Sequence, residues 1–218
     1  MKKLLIIKTN TSPKHATEVP ALLDVADVAW LQLGEHNWAD QYPYCPQVAF
    51  RIAHCGRALL LHFRVEENSI RALAERNNGR VWEDSCCELF LQPEEKGDYY
   101  NIECNCAGGL LIGCGPDRHD RERAPHDVLD SVDRWSSLGN ASRPQQEGLW
   151  QWELALLIPV TALWRSKLES LDGLAARCNF YKCGDLLSQP HFLSWCPVET
   201  PKPDFHQPRF FGECLFAG

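Results

Sequence analysis

The chain has 218 residues, a formal net charge of −7 and 44% hydrophobic residues. At this size about 70% of the unfolded surface is buried on folding, so one domain over residues 1–218 can form a core without disulfides or metals. With 29 acidic against 22 basic side chains and no Lys/Arg-rich run, nothing is present to neutralise a phosphate backbone, so no nucleic-acid partner is expected.

The N-terminus, MKKLLIIKTN, offers only Leu4 to Ile7 as an apolar run, short of the roughly 7 to 15 residues of a secretory h-region. No segment approaches the roughly 18 apolar residues of a membrane span. The chain therefore reads as soluble, with no membrane partner, and as cytoplasmic unless its native N-terminus has been trimmed. Residues 1–44 read as an irregular strand and loop.

Period two dominates from there. VAFRIA (48–53) and ALLLHFRV (58–65) flank a turn at His54 to Arg57 and form a hairpin, with Leu59, Leu61, Phe63 and Val65 on one face. Ser69 is placed to cap a helix over SIRALAER. VWEDSCCELF (81–90) leads into a strand over 87–93, and YYNIECNCAGG follows with Tyr100, Ile102, Cys104 and Cys106 alternating against Asn101, Glu103 and Asn105. Residues 115–148, polar and rich in Gly and Pro, read as a long loop or irregular hairpin. LWQWELALLIP (149–159) alternates again, Thr161 is placed to cap a helix over TALWRSKLESL, and CNFYKCG, FLSW and ECLFA supply further strands. The fold expected is mostly β: a single-domain antiparallel β-sandwich with one or two short helices and long loops.

Eleven cysteines suggest disulfides or a metal, but their number is odd and no CxxC occurs. Most are expected to be reduced, buried thiols.

If residues 82–90 are extended throughout, Trp82, Asp84, Cys86, Glu88 and Phe90 share one side. A ring beside carboxylates suits a sugar, whose CH-rich face stacks on the indole while its hydroxyls donate to the acids; a core tryptophan with a solvated acidic rim is the alternative. Asn101 and Asn105 flank Glu103 on a strand face, where Asn is otherwise depleted, as if placed to meet hydroxyls. His191 and Trp195 share parity in HFLSW, and Trp195 supplies a second aromatic wall. His191 and His206 are open to metal binding or to hydrogen bonds within the proline-rich loop. His119 and His126 lie in a charged, solvated loop.

VWEDSCCELFLQP, YYNIECNCAGG, NFYKCGD and HFLSWCPVETPKPDFHQPRFFGECLF, in that order, resemble the family-9 carbohydrate-binding modules, a β-sandwich similar to the DOMON-like group. The resemblance implies non-catalytic binding of a mono- or oligosaccharide between two tryptophans, here Trp82 and Trp195, with Glu88 accepting from hydroxyls. It also implies an association with polysaccharide degradation, through a separate glycoside hydrolase. Glu103 stands where xylanase-attached modules present an arginine, exchanging a cationic donor for an acceptor. A structural calcium is in keeping with the family, although no D-x-D-x-D-G loop marks one; no other cofactor is expected. Haem ligation by Met and His, known among DOMON-like sandwiches, is implausible where Met1 is the only methionine. Two other functions are open: a glycosidase using Asp84, Glu88 or Glu103, and an interaction sandwich that has lost its sugar.

Overall fold

The structure, a computed structural model, describes residues 1–94 and 96–218. Two sheets face each other. Numbered in chain order, the larger sheet runs β1 (Lys3–Ile6), β13 (Gly212–Phe216), β11 (Ala175–Cys183), β5 (Cys86–Gln92), β6 (Tyr99–Asn105), β7 (Leu110–Gly115), β8 (Glu122–Arg123). A short β12 (Phe192–Ser194) pairs with the end of β11 that β13 leaves free. The smaller sheet runs β2 (Leu31–Gln32), β3 (Gln47–His54), β4 (Ala58–Ala72), β10 (Arg143–Pro159), β9 (Asp133–Ser136). The named strands pair antiparallel except β1, which lies parallel to β13.

The core is built from the faces that alternation marks as apolar. Leu59, Leu61, Phe63 and Val65 of β4, Trp152, Leu154, Leu156 and Ile158 of β10, Ile102 and Cys104 of β6, and Cys178 and Phe180 of β11 share one buried cluster. Phe50 of β3 stacks on Phe180 with ring centroids 3.8 Å apart, joining the two sheets. All eleven cysteines are free thiols and nine of them are buried.

A buried ion pair also crosses this interior. The Lys182 ammonium on β11 lies 2.8 Å from a Glu67 carboxylate oxygen on β4, both side chains being wholly inaccessible. Trp152 Nε1 donates to the other Glu67 oxygen, and Lys182 donates to His191 Nε2 at 2.7 Å.

Neither expected helix forms. Residues 69–72 continue β4, with Ile70 and Ala72 in the core, because pairing with β10 past two register shifts satisfies their backbone and buries their side chains together. After Pro159 the chain makes only a 3-10 turn, Val160–Ala162, and irregular turns to Gly173. The two helices among the described residues are elsewhere. α1 (Val19–Val25), with Pro in its first turn, packs Val19 and Leu23 on Ala53, Leu60 and Ala155, outside the smaller sheet. α2 (His126–Ser131) interrupts residues 115–148, which also contain β8, β9 and the start of β10. Among the described residues no helix is long and apolar enough to cross a membrane.

Candidate functional site

The outer face of the larger sheet is covered by loops rather than by a third layer. Phe90, Tyr99, Leu111 and Tyr181 from the sheet pack with Trp38, Val198, Phe205 and Phe211 in a second apolar cluster. Where this cover is incomplete an open cleft of about 390 Å³ remains, within the range of small-ligand sites.

The floor of the cleft is acidic. Glu88 on β5 and Glu103 on β6 are register partners, and both line it. Cys183, on the opposite flank of β5, donates its thiol to Glu88 Oε1 at 3.0 Å. Asn101 donates to Glu103 Oε1 at 2.7 Å, and its own carbonyl oxygen accepts from Arg121 at 3.0 and 2.6 Å. Arg121 stacks over Tyr99, 4.2 Å from the ring centroid, and donates also to the Tyr99 carbonyl. Gly113 opposite Asn101 makes room for this chain of bonds, since a Cβ there would lie 2.6 Å from the Asn101 oxygen. Glu103 Oε2 is buried and has no hydrogen-bond partner among the described residues.

Burial sets the protonation of this floor. Desolvation raises Glu103 to about 7 against the opposing help of Asn101 and Arg121. Desolvation, reinforced by the neighbouring Glu103, pushes Glu88 well above the usual carboxylate range. Asp185, on the cleft wall, is raised by burial to about 6. His206 goes the other way: burial and the positive charge of Arg121 lower it to about 3, and its Nδ1 lies 2.9 Å from the Tyr99 hydroxyl.

The walls are aromatic. Trp82 sits in a 3-10 turn, Val81–Glu83, where it is partly exposed to the cleft. The turn is anchored because Asp185 N–H donates to the Trp82 carbonyl at 3.1 Å and Arg71 to that of Glu83. Phe192 and Phe205 line the cleft as well, 6.2 Å apart and backed by Trp38 and Tyr42.

Of the eight residues singled out in the sequence, Trp82, Glu88, Asn101 and Glu103 meet in the cleft. The other four are structural. Trp195 is 5% exposed, packed edge-on against Phe50 and Phe180 in the main core, so the expected pair of stacking tryptophans does not form. The pleat decides this: Leu193 and Trp195 point inward, whereas Phe192, one residue out of step, reaches the cleft. Asp84 follows the turn that breaks the extended register. Its carboxylate accepts from the Leu73 and Ala74 amides and from Asn105, and pairs with Arg71 at 3.3 Å. Asn105 in turn accepts from the Ala107 and Gly109 amides, bracing the β6–β7 turn. His191 donates from Nδ1 to the Gln189 carbonyl and accepts from Lys182. His119 and Arg118, at the cleft rim, come from the loop read as merely solvated. Arginine is thus supplied to the site from the β7–β8 connection, not from position 103.

Among the described residues one group brings three potential metal ligands together: Cys86, Glu88 and Cys183. Two thiols make it unsuited to calcium, which takes six to eight oxygens.

The model of carbohydrate-binding family 9 matches residues 17–216. A candidate carbohydrate-binding protein from Bacteroides uniformis ATCC 8492 is 48% identical over 99% of each chain, with a TM-score of 0.95. A family-9 carbohydrate-binding module from Caldicellulosiruptor kristjanssonii in complex with glucose superposes with a TM-score of 0.61, at 14% identity, over 100% of this chain and 96% of that one. The same organism's module in complex with cellotriose gives 0.57, also at 14% identity, over 100% and 94%. No curated protein matches.

Proposed function

The chain belongs to carbohydrate-binding family 9, and from that premise we propose that it binds a neutral saccharide in the cleft on the outer face of its larger sheet, without chemistry on the sugar. One observation carries the reading: Glu103 lines an open cleft edged by a tryptophan, and its buried Oε2 has no hydrogen-bond partner among the described residues. A buried acceptor left unpaired costs about 1–3 kcal/mol, which a hydroxyl donor from a ligand recovers. Sugar hydroxyls are such donors, and the Trp82 indole offers a surface for the CH-rich side of the ring. The Caldicellulosiruptor modules hold glucose and cellotriose, which supports gluco-configured sugars as the first ligands to try. A site of one stacking ring and a few charge-assisted bonds suits dissociation constants from micromolar to millimolar, about −8 to −4 kcal/mol. The same reading places the chain beside a separate glycoside hydrolase whose products it would hold.

The glycosidase alternative is disfavoured by placement. A glycosidase flanks the scissile bond with its two carboxyl groups, whereas Glu88 and Glu103 stand side by side on one floor. A glycan array followed by calorimetry of the hits tests the proposal. Saturable binding of at least one gluco-oligosaccharide is expected; silence across the array at millimolar ligand, or turnover of aryl glycosides that vanishes in Glu88→Gln, overturns it.

A further inference from the structure

One cluster at the cleft, two of whose members, Glu88 and Cys183, line it, is not explained by saccharide binding. Cys86 and Cys183 are register partners on β5 and β11, and Glu88 lies two residues along β5 on the same face. One ligand atom from each, two sulfurs and a carboxylate oxygen, lie within 4.8 Å of one another. All three side chains are nearly inaccessible, at 0%, 2% and 2% exposure for Cys86, Glu88 and Cys183. Both strands are interior to the sheet, with partners on each side, so the ligands are held without ordering a loop.

Charge gives the second argument. Among the described residues no Lys, Arg or His forms an ion pair with Glu88 or Glu103, and Glu103 Oε2 has no partner. Two buried carboxyl groups beside two thiols, with Arg121 acting on Glu103 only at a distance and no cation in direct contact with either acid among the described residues, form a set that gains from a bound dication. Zinc ligands lie roughly 2.0–2.3 Å from the metal, so ligand atoms in a tetrahedral site are about 3.5–3.8 Å apart. Atom pairs at the 4.8 Å limit would have to close by about 1.3 Å at most, and the Cys183 Sγ–Glu88 Oε1 pair, at 3.0 Å, would open by about half an ångström, to reach that geometry. Two thiolates select a thiophilic metal over calcium or magnesium.

We propose that Cys86, Glu88 and Cys183 form a zinc site in the floor of the cleft, with Glu103 beside it and the remaining coordination position turned toward the cleft opening. Binding forms two Zn–S bonds and one Zn–O bond. The two thiol protons, and that of Glu88 where it is protonated, leave to solvent, so affinity rises with pH. The site goes beyond saccharide binding and is tested without any sugar, so either reading can fail alone.

The test uses reduced, chelator-stripped protein with Cys45 and Cys55, the two thiols that are not buried, changed to serine. Co²⁺ is titrated in and then displaced by Zn²⁺. The expected result is one Co²⁺ per chain, with thiolate-to-cobalt charge transfer and the visible bands of tetrahedral cobalt, both lost on adding Zn²⁺. Cys86→Ser, Cys183→Ser and Glu88→Gln should each weaken binding at least by the roughly 10–100-fold that even outer partners of a metal cost. Cys178→Ser, a buried thiol on the other face of β11, should leave it unchanged, which separates ligand loss from the general cost of a buried serine. A Zn²⁺-induced rise in melting temperature present in the parent and absent in Glu88→Gln provides a second readout. No charge transfer at millimolar Co²⁺, bands that survive Cys86→Ser and Cys183→Ser, or a Cys86–Cys183 disulfide in protein alkylated at the moment of lysis would overturn the proposal.

Discussion

Glu88 and Glu103 are directly opposed on β5 and β6, two buried carboxyl groups side by side beneath an open cleft. Their partners differ. Glu88 accepts from a thiol, whereas Glu103 is held by Asn101 and keeps one oxygen free. Glu103→Gln keeps the size and removes the charged acceptor; a hydrogen bond to a charged group contributes about 1.5–3 kcal/mol. Saccharide affinity by calorimetry should therefore fall by roughly 10- to 100-fold, with the melting temperature held or raised. Unchanged affinity would remove Glu103 from the site.

Trp195→Ala is expected to cost about 3–5 kcal/mol of stability, the range for truncating a buried aromatic, because the indole packs edge-on against the stacked Phe50 and Phe180 rings. Urea unfolding measures this. Trp195→Phe, which keeps most of the packing, should bind saccharide as the parent does; a selective loss of binding in that variant would return Trp195 to the ligand.

Lys182 and Glu67 stabilise the fold only as a pair. Lys182→Met strands the Glu67 carboxylate in the interior and should cost about 3–5 kcal/mol, as breaking a buried ion pair does. In the double variant Glu67→Gln/Lys182→Met the cost should be well below the sum of the single changes, read from urea midpoints in a double-mutant cycle. Additive costs would mean the two groups do not act together.

His62 should make stability depend on pH. Burial, with the Arg51 guanidinium against Nδ1, lowers its pKa to about 4, while Nε2–H donates to Glu153 at 2.9 Å. The unfolded chain, with an ordinary value near 6.5, takes up this proton first. The contribution is therefore present above about pH 6.5 and is lost as pH falls toward 4, on the order of 3 kcal/mol in all. The stability gap between the parent and His62→Gln should shrink across that window in urea melts; a gap independent of pH would contradict the assignment.

Alternation carried most of the fold. The opposite faces of β6 could be told apart from Tyr100, Ile102 and Cys104 against Asn101, Glu103 and Asn105, and the cleft floor followed from that. Helix signals failed at Ser69 because a cap residue and good helix formers say nothing of β10, whose ladder claims residues 69–72. α1 was hidden for the converse reason: it is seven residues long and has no side-chain cap. At the site, His191, Leu193 and Trp195 share the parity that faces inward, and Phe192, one residue out of step, is the ring that reaches the cleft; parity alone does not say which face that is. Asp84 shares a face with Trp82 and Glu88 only if the segment is extended throughout, and the 3-10 turn at Val81–Glu83 breaks that condition. Arg121, Phe205 and His206 come from loops that fold back over the sheet, and periodicity within a segment cannot show where a loop returns.

A saccharide bound in this cleft is expected to lie against Trp82. Titration calorimetry with glucose and cello-oligosaccharides, on the parent and on Trp82→Ala, tests it most directly, circular dichroism confirming that the variant is folded. Saturable binding by the parent and at least a tenfold loss in Trp82→Ala, about 1.4 kcal/mol, are expected. Equal binding by the two proteins, or none by either at high millimolar sugar, would contradict this placement.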